Sequence, residues 1–349
     1  MVTAALETAI RQFREPRGYL AVASIGLPPE SALTALRADL AAWEAADRDP
    51  AGYDPVVART RSAFARLVGI DPARVAIGSQ TSVLASIVAA AVPDGAEVLL
   101  PHADFSSIVF PFLQQQPRIR VRVVPLDGLA DAITDDTWLV GFSLVQSATG
   151  TVADEDAIVA AAERHDARTF CDVTQAAGVH PVDAARYDLV VCHAYKWLCS
   201  PRGVAFLAMT ESMQQLLRPL QAGWYAGDDP WHSVYGPEMH LAADARRFDV
   251  SPAWQAWIGA EQAIELFAGL DIAEVWELTA GLGDALCDGL GIPPQHQAIV
   301  TWPDPDGSDL GTLIDAGIRI SGRAGRLRAS FHLWNTEDDV AAVLRALRR

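Results

Sequence analysis

Short apolar runs alternate with Ala-rich segments of helical spacing through the middle of the chain. Residues 81–92 and 154–165 are the clearest of these helical segments. Nearly continuous apolar strands separated by helices are typical of a parallel or mixed sheet that is covered on both faces. We therefore predict an α/β fold, with ligand sites at the carboxyl ends of its strands. The predicted strands are 74–78, 96–101, 119–126, 137–145, 167–173, 187–194 and 203–209.

The pattern changes after about residue 250, where a long helical stretch (254–287) precedes short strands. Asn335 or Thr336 can cap a last helix over 337–347, whose first turn is acidic. This arrangement indicates a small α+β domain. The predicted strands of this part are 298–303, 317–321 and 326–334.

The two patterns divide the chain into three parts. We expect a large domain over 51–245 and a small C-terminal domain over 246–349. Residues 1–50 are expected to pack against the small domain.

Composition and charge narrow the class of protein. Half of the 349 residues are hydrophobic and 20% are charged, which is typical of a globular chain. The formal net charge of −17 argues against nucleic acid and anionic membranes as partners. The first residues lack a signal-peptide pattern, no apolar run reaches 18 residues, and the four cysteines form no CxxC pair. We expect a cytoplasmic protein with reduced thiols and no metal site.

The stretch HAYKWLCSPRG (193–203) contains the only lysine of the chain, Lys196, beside 26 arginines elsewhere. A guanidinium stays protonated, whereas an amine of lowered pKa can attack a carbonyl compound. A surface lysine that survived a drift towards arginine is the alternative interpretation. The apolar run before Lys196 and its neighbours Tyr195 and Trp197 are unusual for a solvated position, but they leave both interpretations open.

A carboxylate favours the chemical interpretation of this lysine. Asp172 ends a predicted strand 24 positions before Lys196. A buried carboxylate facing a buried amine is what pyridoxal phosphate needs. The amine binds the cofactor covalently, and the carboxylate keeps the pyridine nitrogen protonated.

The motif DVTQAAG…HAYKW…PRG resembles the core of the class V aminotransferases, the group that holds cysteine desulfurases and kynureninase. The resemblance extends from about residue 18 to the final helix. It implies the fold-type-I architecture of pyridoxal-phosphate enzymes, with a mostly parallel seven-stranded sheet in the large domain. It also implies a homodimer with active sites at the subunit interface.

The resemblance implies roles for three residues of the motif. Lys196 resembles the lysine that binds pyridoxal 5′-phosphate, and Asp172 resembles the partner of the pyridine nitrogen. Gln175 matches a glutamine that donates a hydrogen bond near the phenolic oxygen of the cofactor.

Two segments resemble the family's phosphate-binding elements. GSQTS (78–82) joins a strand to a helix, whose N-terminal N–H groups favour an anion, although a plain helix cap is the simpler interpretation. The other segment directly precedes the lysine, and its histidine would pass for a core residue without the motif. The implied ligands are Ser79, Gln80, Thr81, His193 and Tyr195.

Two loops resemble those that contact the cofactor ring. In HADFSSIVFPF (102–112), Phe105 best fits the position that stacks on the pyridine. In SLVQSATG (143–150), Gln146 or Ser147 would contact the phenolic oxygen.

Four residues of the C-terminal part complete the implied site. Arg328 matches the arginine that binds the substrate carboxylate in a two-point grip. Trp254 and His332 are expected to line the substrate pocket. Ser251 lies in a segment that reaches the phosphate of the partner subunit in family dimers.

One absence bears on the reaction. Cysteine desulfurases need a mobile cysteine upstream of the carboxylate-binding arginine, but residues 288–349 contain none. We therefore predict an aminotransferase or a β-eliminating C–S lyase that acts at Cα of a small-molecule amino-acid substrate, without persulfide formation. A kynureninase-like hydrolase, an epimerase, a decarboxylase and a non-catalytic cofactor-binding protein stay open as alternatives.

Overall fold

A computed structural model describes residues 3–14, 16–323 and 325–348. Its main feature is a seven-stranded sheet with the order β1-β7-β6-β5-β4-β2-β3. The apolar runs of the middle region form these strands, as predicted. The strands are β1 (Val75–Gly78), β2 (Glu97–Pro101), β3 (Arg120–Val124), β4 (Thr137–Ser143), β5 (Arg168–Asp172), β6 (Leu189–His193) and β7 (Ala205–Met209).

The directions of the strands bring their carboxyl ends to one edge. Strands β2 to β6 pair in parallel, whereas β7 is antiparallel to both β6 and β1. Strand β1 therefore runs in the same direction as the parallel strands. Gly78, Ser143, Asp172 and His193, the last residues of their strands, consequently lie at the same edge of the sheet.

Helices cover both faces of this sheet. Neighbouring residues of one strand enter different cores, since Phe170 of β5 packs in one apolar cluster and Cys171 in the other. This three-layer packing agrees with the predicted α/β class. The helices are α1 (Ala4–Ile10), α2 (Glu30–Glu44), α3 (Asp54–Leu67), α4 (Thr81–Ala91), α5 (Ser106–Leu113), α6 (Glu155–Arg164), α7 (Glu211–Leu216), α8 (Trp254–Ala268), α9 (Ile272–Leu290), α10 (Ser308–Asp315) and α11 (Glu337–Ala346).

A second, antiparallel sheet lies in the C-terminal part, with the order β8 (Ile299–Pro303), β10 (Arg326–Ser330), β9 (Ser321–Arg323). Its core includes apolar residues of α9, α10 and α11. Helix α11 begins with a capping box at Thr336, one of its two predicted caps.

The predicted strand over 317–321 is misplaced, because β9 begins only at Ser321. The backbone at Arg319 pairs instead with the N-terminal segment, donating to the carbonyl of Gly18 and accepting from Leu20. The apolar character of this stretch comes from Ile318, which is buried in the core of the small sheet.

The N-terminal segment also contacts the loop that carries Lys196 after β6, here called the lysine loop (194–198). The N–H of Gly26 donates to the carbonyl of Tyr195 at 2.9 Å. A Cβ atom on Gly26 would lie 2.0 Å from the carbonyl oxygen of Lys196, so only glycine allows this approach. The three-part division of the chain stays a prediction.

Candidate active site

A cavity of about 220 Å³ lies at the carboxyl edge of the large sheet. Its walls come from the ends of β4, β5 and β6, the start of α4, and the lysine loop, as expected for a parallel sheet. It is lined by Gln80, Thr81, Ser82, Phe105, Ser107, Ser143, Ser147, Asp172, Thr174, Gln175, His193, Tyr195, Lys196 and Arg202.

Lys196 and Asp172 are the buried charged pair of the cavity. Lys196 is 5% exposed, and burial lowers the pKa of its amine to about 8, with Asp172 opposing the change. Burial raises the pKa of Asp172 to about 6, although hydrogen bonds from Thr174 favour its charged form. The amine is therefore within reach of its neutral, nucleophilic form near pH 8.

One end of the cavity, here called the phosphate end, has hydrogen-bond donors that suit an anion. Gln80 precedes α4 without a side-chain cap, so that helix presents unpaired N–H groups. His193 lines the same cavity at 6% exposure, and its Nε2 atom has no hydrogen-bond partner among the described residues. Thr81 and Ser82 add hydroxyl groups. A phosphate would supply acceptors for these groups.

Gln175 and Ser147 are tied into one hydrogen-bond network. The amide nitrogen of Gln175 donates to Ser147 Oγ at 3.0 Å and to the carbonyl of Ala23 at 3.0 Å. Its amide oxygen accepts from the indole of Trp197 at 2.7 Å. Ser147 Oγ also accepts from Arg328 at 3.1 Å, so its own proton remains free to donate to a ligand.

Arg328 is buried behind this network at 1% exposure. Its guanidinium donates to Ser24 Oγ at 2.8 Å, to Ser321 Oγ at 3.1 Å and to the hydroxyl and carbonyl of Ser147. None of these partners carries a negative charge. Burial, followed by repulsion from Arg323, lowers the pKa of Arg328 to about 10. A carboxylate would supply the missing charge.

Phe105 is held at the mouth of the cavity. Its ring centroid lies 5.2 Å from Lys196 Nζ. Asp104 accepts from the backbone N–H of Phe105 at 2.6 Å and from that of Ser143 at 2.7 Å. This carboxylate therefore fastens the aromatic residue to the end of β4.

The remaining predicted residues do not line the cavity. Ser79 precedes the first lining residue, Gln80, and does not line the cavity itself. Ser82 lines it instead, because the first turn of α4 directs this side chain into the cavity. Gln146 borders a different cavity and donates to Asp104, so Ser147 is the member of that pair in the site. Ser251 is exposed, and Trp254 stacks on Tyr53 at 5.3 Å.

The prediction for His332 conflicts with the structure. Its side chain is fully buried among aromatic rings, including Trp334 and Phe267. Nε2 lies 2.8 Å from the carbonyl of Trp197, and Nδ1 accepts from the N–H of Leu333. Both ring nitrogens serve the core, so His332 cannot contact a substrate.

Sequence reasoning missed five side chains of the cavity, namely Ser82, Ser107, Ser143, Thr174 and Arg202. Thr174 joins two strand ends, since its hydroxyl accepts from the N–H of His193 at 3.0 Å. Ser107 lies in the first turn of α5. Arg202 follows the lysine loop in the motif PRG, which itself was a usable signal.

The residues present fit pyridoxal phosphate. The unpartnered His193 nitrogen and the start of α4 suit its phosphate, and Asp172 suits its pyridine nitrogen. Lys196 suits its aldehyde, and Phe105 can flank its ring.

Two relatives are similar in sequence over at least four fifths of the chain. An uncharacterized aminotransferase, YcbU of Bacillus subtilis, is 25% identical over 80% of this chain and 80% of its own length. The isopenicillin N epimerase of Amycolatopsis lactamdurans is 28% identical over 84% of this chain and 85% of its own length.

A solved structure shares the fold. The cystine C–S lyase C-DES, in complex with its reaction product cysteine persulfide, superposes with a TM-score of 0.85. It is 21% identical and covers 95% of this chain and 97% of its own.

The family assignment rests on a match between the chain and the sequence description of a whole family. The sequence description of the family "Aminotransferase class-V" matches residues 55–311, which is most of the chain and includes Asp172 and Lys196. The resemblance in the motif, the predicted fold and the cofactor are thereby confirmed. The chain belongs to the class V aminotransferases, and its cofactor is pyridoxal 5′-phosphate.

Proposed function

We propose that the protein acts at Cα of an amino-acid substrate, by transamination or by β-elimination. One observation carries this proposal: the buried Lys196–Asp172 pair lines the same cavity as Ser147, and Ser147 accepts a hydrogen bond from Arg328, a buried cation with no acidic partner in the described part of the chain. A substrate that brings both an amine and a carboxylate would satisfy both groups.

Each residue has a role that follows from its surroundings. When bound, the cofactor accepts the electrons that remain at Cα after a proton is lost. Asp172 maintains the charge of the pyridine nitrogen. Lys196, with its pKa lowered to about 8, can take the proton from Cα and return it at a neighbouring atom. Arg328 holds the carboxylate and so orients the bond that breaks.

The position of Phe105 favours reactions in which protons are added and removed on one face of the substrate, the face next to Lys196. Its apolar ring borders the amine of Lys196 and has no proton to give. Transamination and β-elimination can use Lys196 as a single base. Epimerisation with a second base would need a titratable group at the opposite side.

Epimerisation nevertheless is the second candidate, because the epimerase of Amycolatopsis lactamdurans matches more than four fifths of this chain. A kynureninase-like hydrolase remains a further alternative.

The proposal leaves out persulfide formation. The four cysteines at 171, 192, 199 and 287 are buried. None of them lines the cavity among the described residues. Burial raises the pKa of the Cys199 thiol, the cysteine that follows the lysine loop, well above its usual value. A buried, protonated thiol is a poor sulfur acceptor.

We also propose a homodimer, in which Ser251 reaches the partner's site. The exposed apolar side chains of Trp231, Tyr235 and Met239 support a second copy as their cover. Sedimentation of the purified protein tests this part, and a monomer at all concentrations would refute it. The cytoplasmic location stays a prediction.

The central experiment is an absorbance titration of the purified protein with a panel of amino acids, including cysteine S-conjugates. Bleaching of the visible cofactor band with a 2-oxo acid as product indicates transamination. Pyruvate and a thiol with a persistent band indicate β-elimination. A racemised substrate indicates epimerisation. A band that responds to no member of the panel would contradict the proposed enzyme.

Two variants test the assignment of the lysine. Lys196→Ala should lose the lysine-bound cofactor band, and Lys196→Arg should lose it as well while keeping the positive charge. An unchanged spectrum and activity in either variant would refute the role of Lys196.

A further inference from the structure

We propose that Arg202 is a ligand of the cofactor phosphate and supplies the full positive charge at that end of the cavity. The inference rests on the cavity used by the proposed function and adds a residue to it. The observations concern the turn that carries Arg202, its side-chain neighbours and the charges of the phosphate end.

The turn after the lysine loop holds Arg202 in place. Gly203 has a φ of +102°, a conformation that side chains rarely adopt. Pro201 packs so closely on Gly259 of α8 that a Cβ atom on that glycine would lie 2.7 Å from the proline ring. The backbone on both sides of Arg202 is therefore fixed relative to the sheet.

The side chain of Arg202 lies over the cavity without an acidic partner. Its guanidinium carbon is 4.8 Å from the centre of the Tyr195 ring, and that ring meets His193 edge-on at 4.4 Å. Arg202 takes part in no ion pair within the described ranges. A guanidinium stacked on a ring keeps its N–H groups free for a planar, two-point grip on an anion.

Among the described residues that line the cavity, no other full positive charge is available at the phosphate end. Burial, followed by the nearby charges of Arg202 and Lys196, lowers the pKa of His193 to about 4. The imidazole is therefore neutral near pH 7 and offers one hydrogen bond. The start of α4 contributes only about half an elementary charge. Lys196 is committed to the aldehyde, which leaves Arg202 as the cation available to the phosphate.

An acidic group on the substrate is a different anion that Arg202 could bind. Both ligands would use the same guanidinium chemistry, so the experiment must separate them. Pyridoxal, which lacks the phosphate but keeps the ring and the aldehyde, provides this separation.

The test measures the affinity of cofactor-free protein for pyridoxal 5′-phosphate and for pyridoxal, by tryptophan fluorescence and by the visible band. Arg202→Gln should weaken pyridoxal 5′-phosphate binding on the order of tenfold and leave pyridoxal binding unchanged. Arg202→Lys should recover part of the loss, since it restores the charge without the planar grip. Inorganic phosphate should compete with pyridoxal 5′-phosphate less effectively in Arg202→Gln than in the wild type.

Arg218→Gln is the matched control, because it removes one positive charge from an exposed position after α7. It should change neither affinity. Equal losses for both ligands in Arg202→Gln, or no loss for either, would overturn the inference. A changed KM for acidic amino acids with normal cofactor affinity would assign Arg202 to the substrate instead.

The outcomes separate this inference from the proposed function. A wild-type protein that does not bind pyridoxal 5′-phosphate or respond to amino acids would defeat the proposed function. Normal wild-type behaviour with an unaltered preference for the phosphorylated ligand in Arg202→Gln would defeat only the role of Arg202. If Arg202→Gln does not fold, as seen by circular dichroism, the phosphate competition in Arg202→Lys decides.

Discussion

Two buried arginines of this protein have opposite surroundings. Arg61 of α3 makes a two-point ion pair with Asp249, with distances of 3.1 and 2.6 Å. Asp249 also accepts from the N–H of Ile77. Arg328 of β10 is buried as deeply, but it is surrounded by serine hydroxyls and a carbonyl.

The difference distinguishes a charge that is paired inside the fold from the charge that we propose to bind the substrate. The carboxylate of Asp249 opposes the effect of burial, and the pKa of Arg61 stays above its usual value. Burial instead lowers the pKa of Arg328 to about 10. A buried charge that loses its counter-ion inside the fold is strongly destabilising, whereas a buried charge without one can take its counter-ion from an anionic ligand.

The largest expected effect comes from breaking the structural pair. Asp249→Asn leaves Arg61 buried without a counter-ion, which should lower the free energy of unfolding by roughly 3 to 5 kcal/mol. Urea denaturation measures this loss. Glu265→Gln, which breaks the exposed pair with Arg66, is the control and should cost less than about 1 kcal/mol. Equal costs for the two variants would contradict the distinction.

Arg328→Met should have the complementary effect, on binding rather than on stability. It should weaken amino-acid binding by about 2 to 4 kcal/mol, because a charged two-point hydrogen bond is lost. The free energy of unfolding should fall less than in Asp249→Asn, since only hydrogen bonds to serines and a carbonyl are lost and no internal ion pair is broken. Titration of the cofactor band measures the binding. Arg326→Met, on the same strand but bonded to Thr301, is the control. Unchanged substrate affinity in Arg328→Met would assign the carboxylate to another residue.

The smallest expected effect links Arg328 to the lysine. Covalent capture of the cofactor needs the neutral amine, so its rate should rise with pH around the Lys196 pKa of about 8. Burial is the main cause of this low pKa, and repulsion from Arg328 adds to it. In Arg328→Met the midpoint should therefore move to higher pH. Stopped-flow absorbance measures the capture rate, and an unmoved or lowered midpoint would show that the two cations do not interact.

The strands and the centre of the site could be predicted from the sequence because their signals are local. Continuous apolar runs mark buried parallel strands, and the motif around Asp172 and Lys196 keeps its spacing in the fold. The prediction of a strand over 317–321 was wrong for a non-local reason, because the backbone of Arg319 pairs with a residue about 300 positions away in the sequence.

The failures within the site concern the directions of side chains. Ser79 and Ser82 are three positions apart at the start of a helix, and only the fold decides which one faces the cavity. His332 is a residue type that often lines substrate pockets. The packing of four aromatic rings around it places it in the core instead. Arg202 was missed because, among 26 arginines, the sequence does not show which side chains face the cavity.

The contact between Gly26 and the carbonyl of Lys196 has a consequence for the order of folding. Residues 170 positions apart form this contact, and Leu20 meets Ser330 across 310 positions, so both loops must close before the lysine reaches its final position. Contacts of such high separation form slowly. Appearance of the lysine-bound cofactor band during refolding would therefore report the completion of the whole chain, later than the recovery of helical signal.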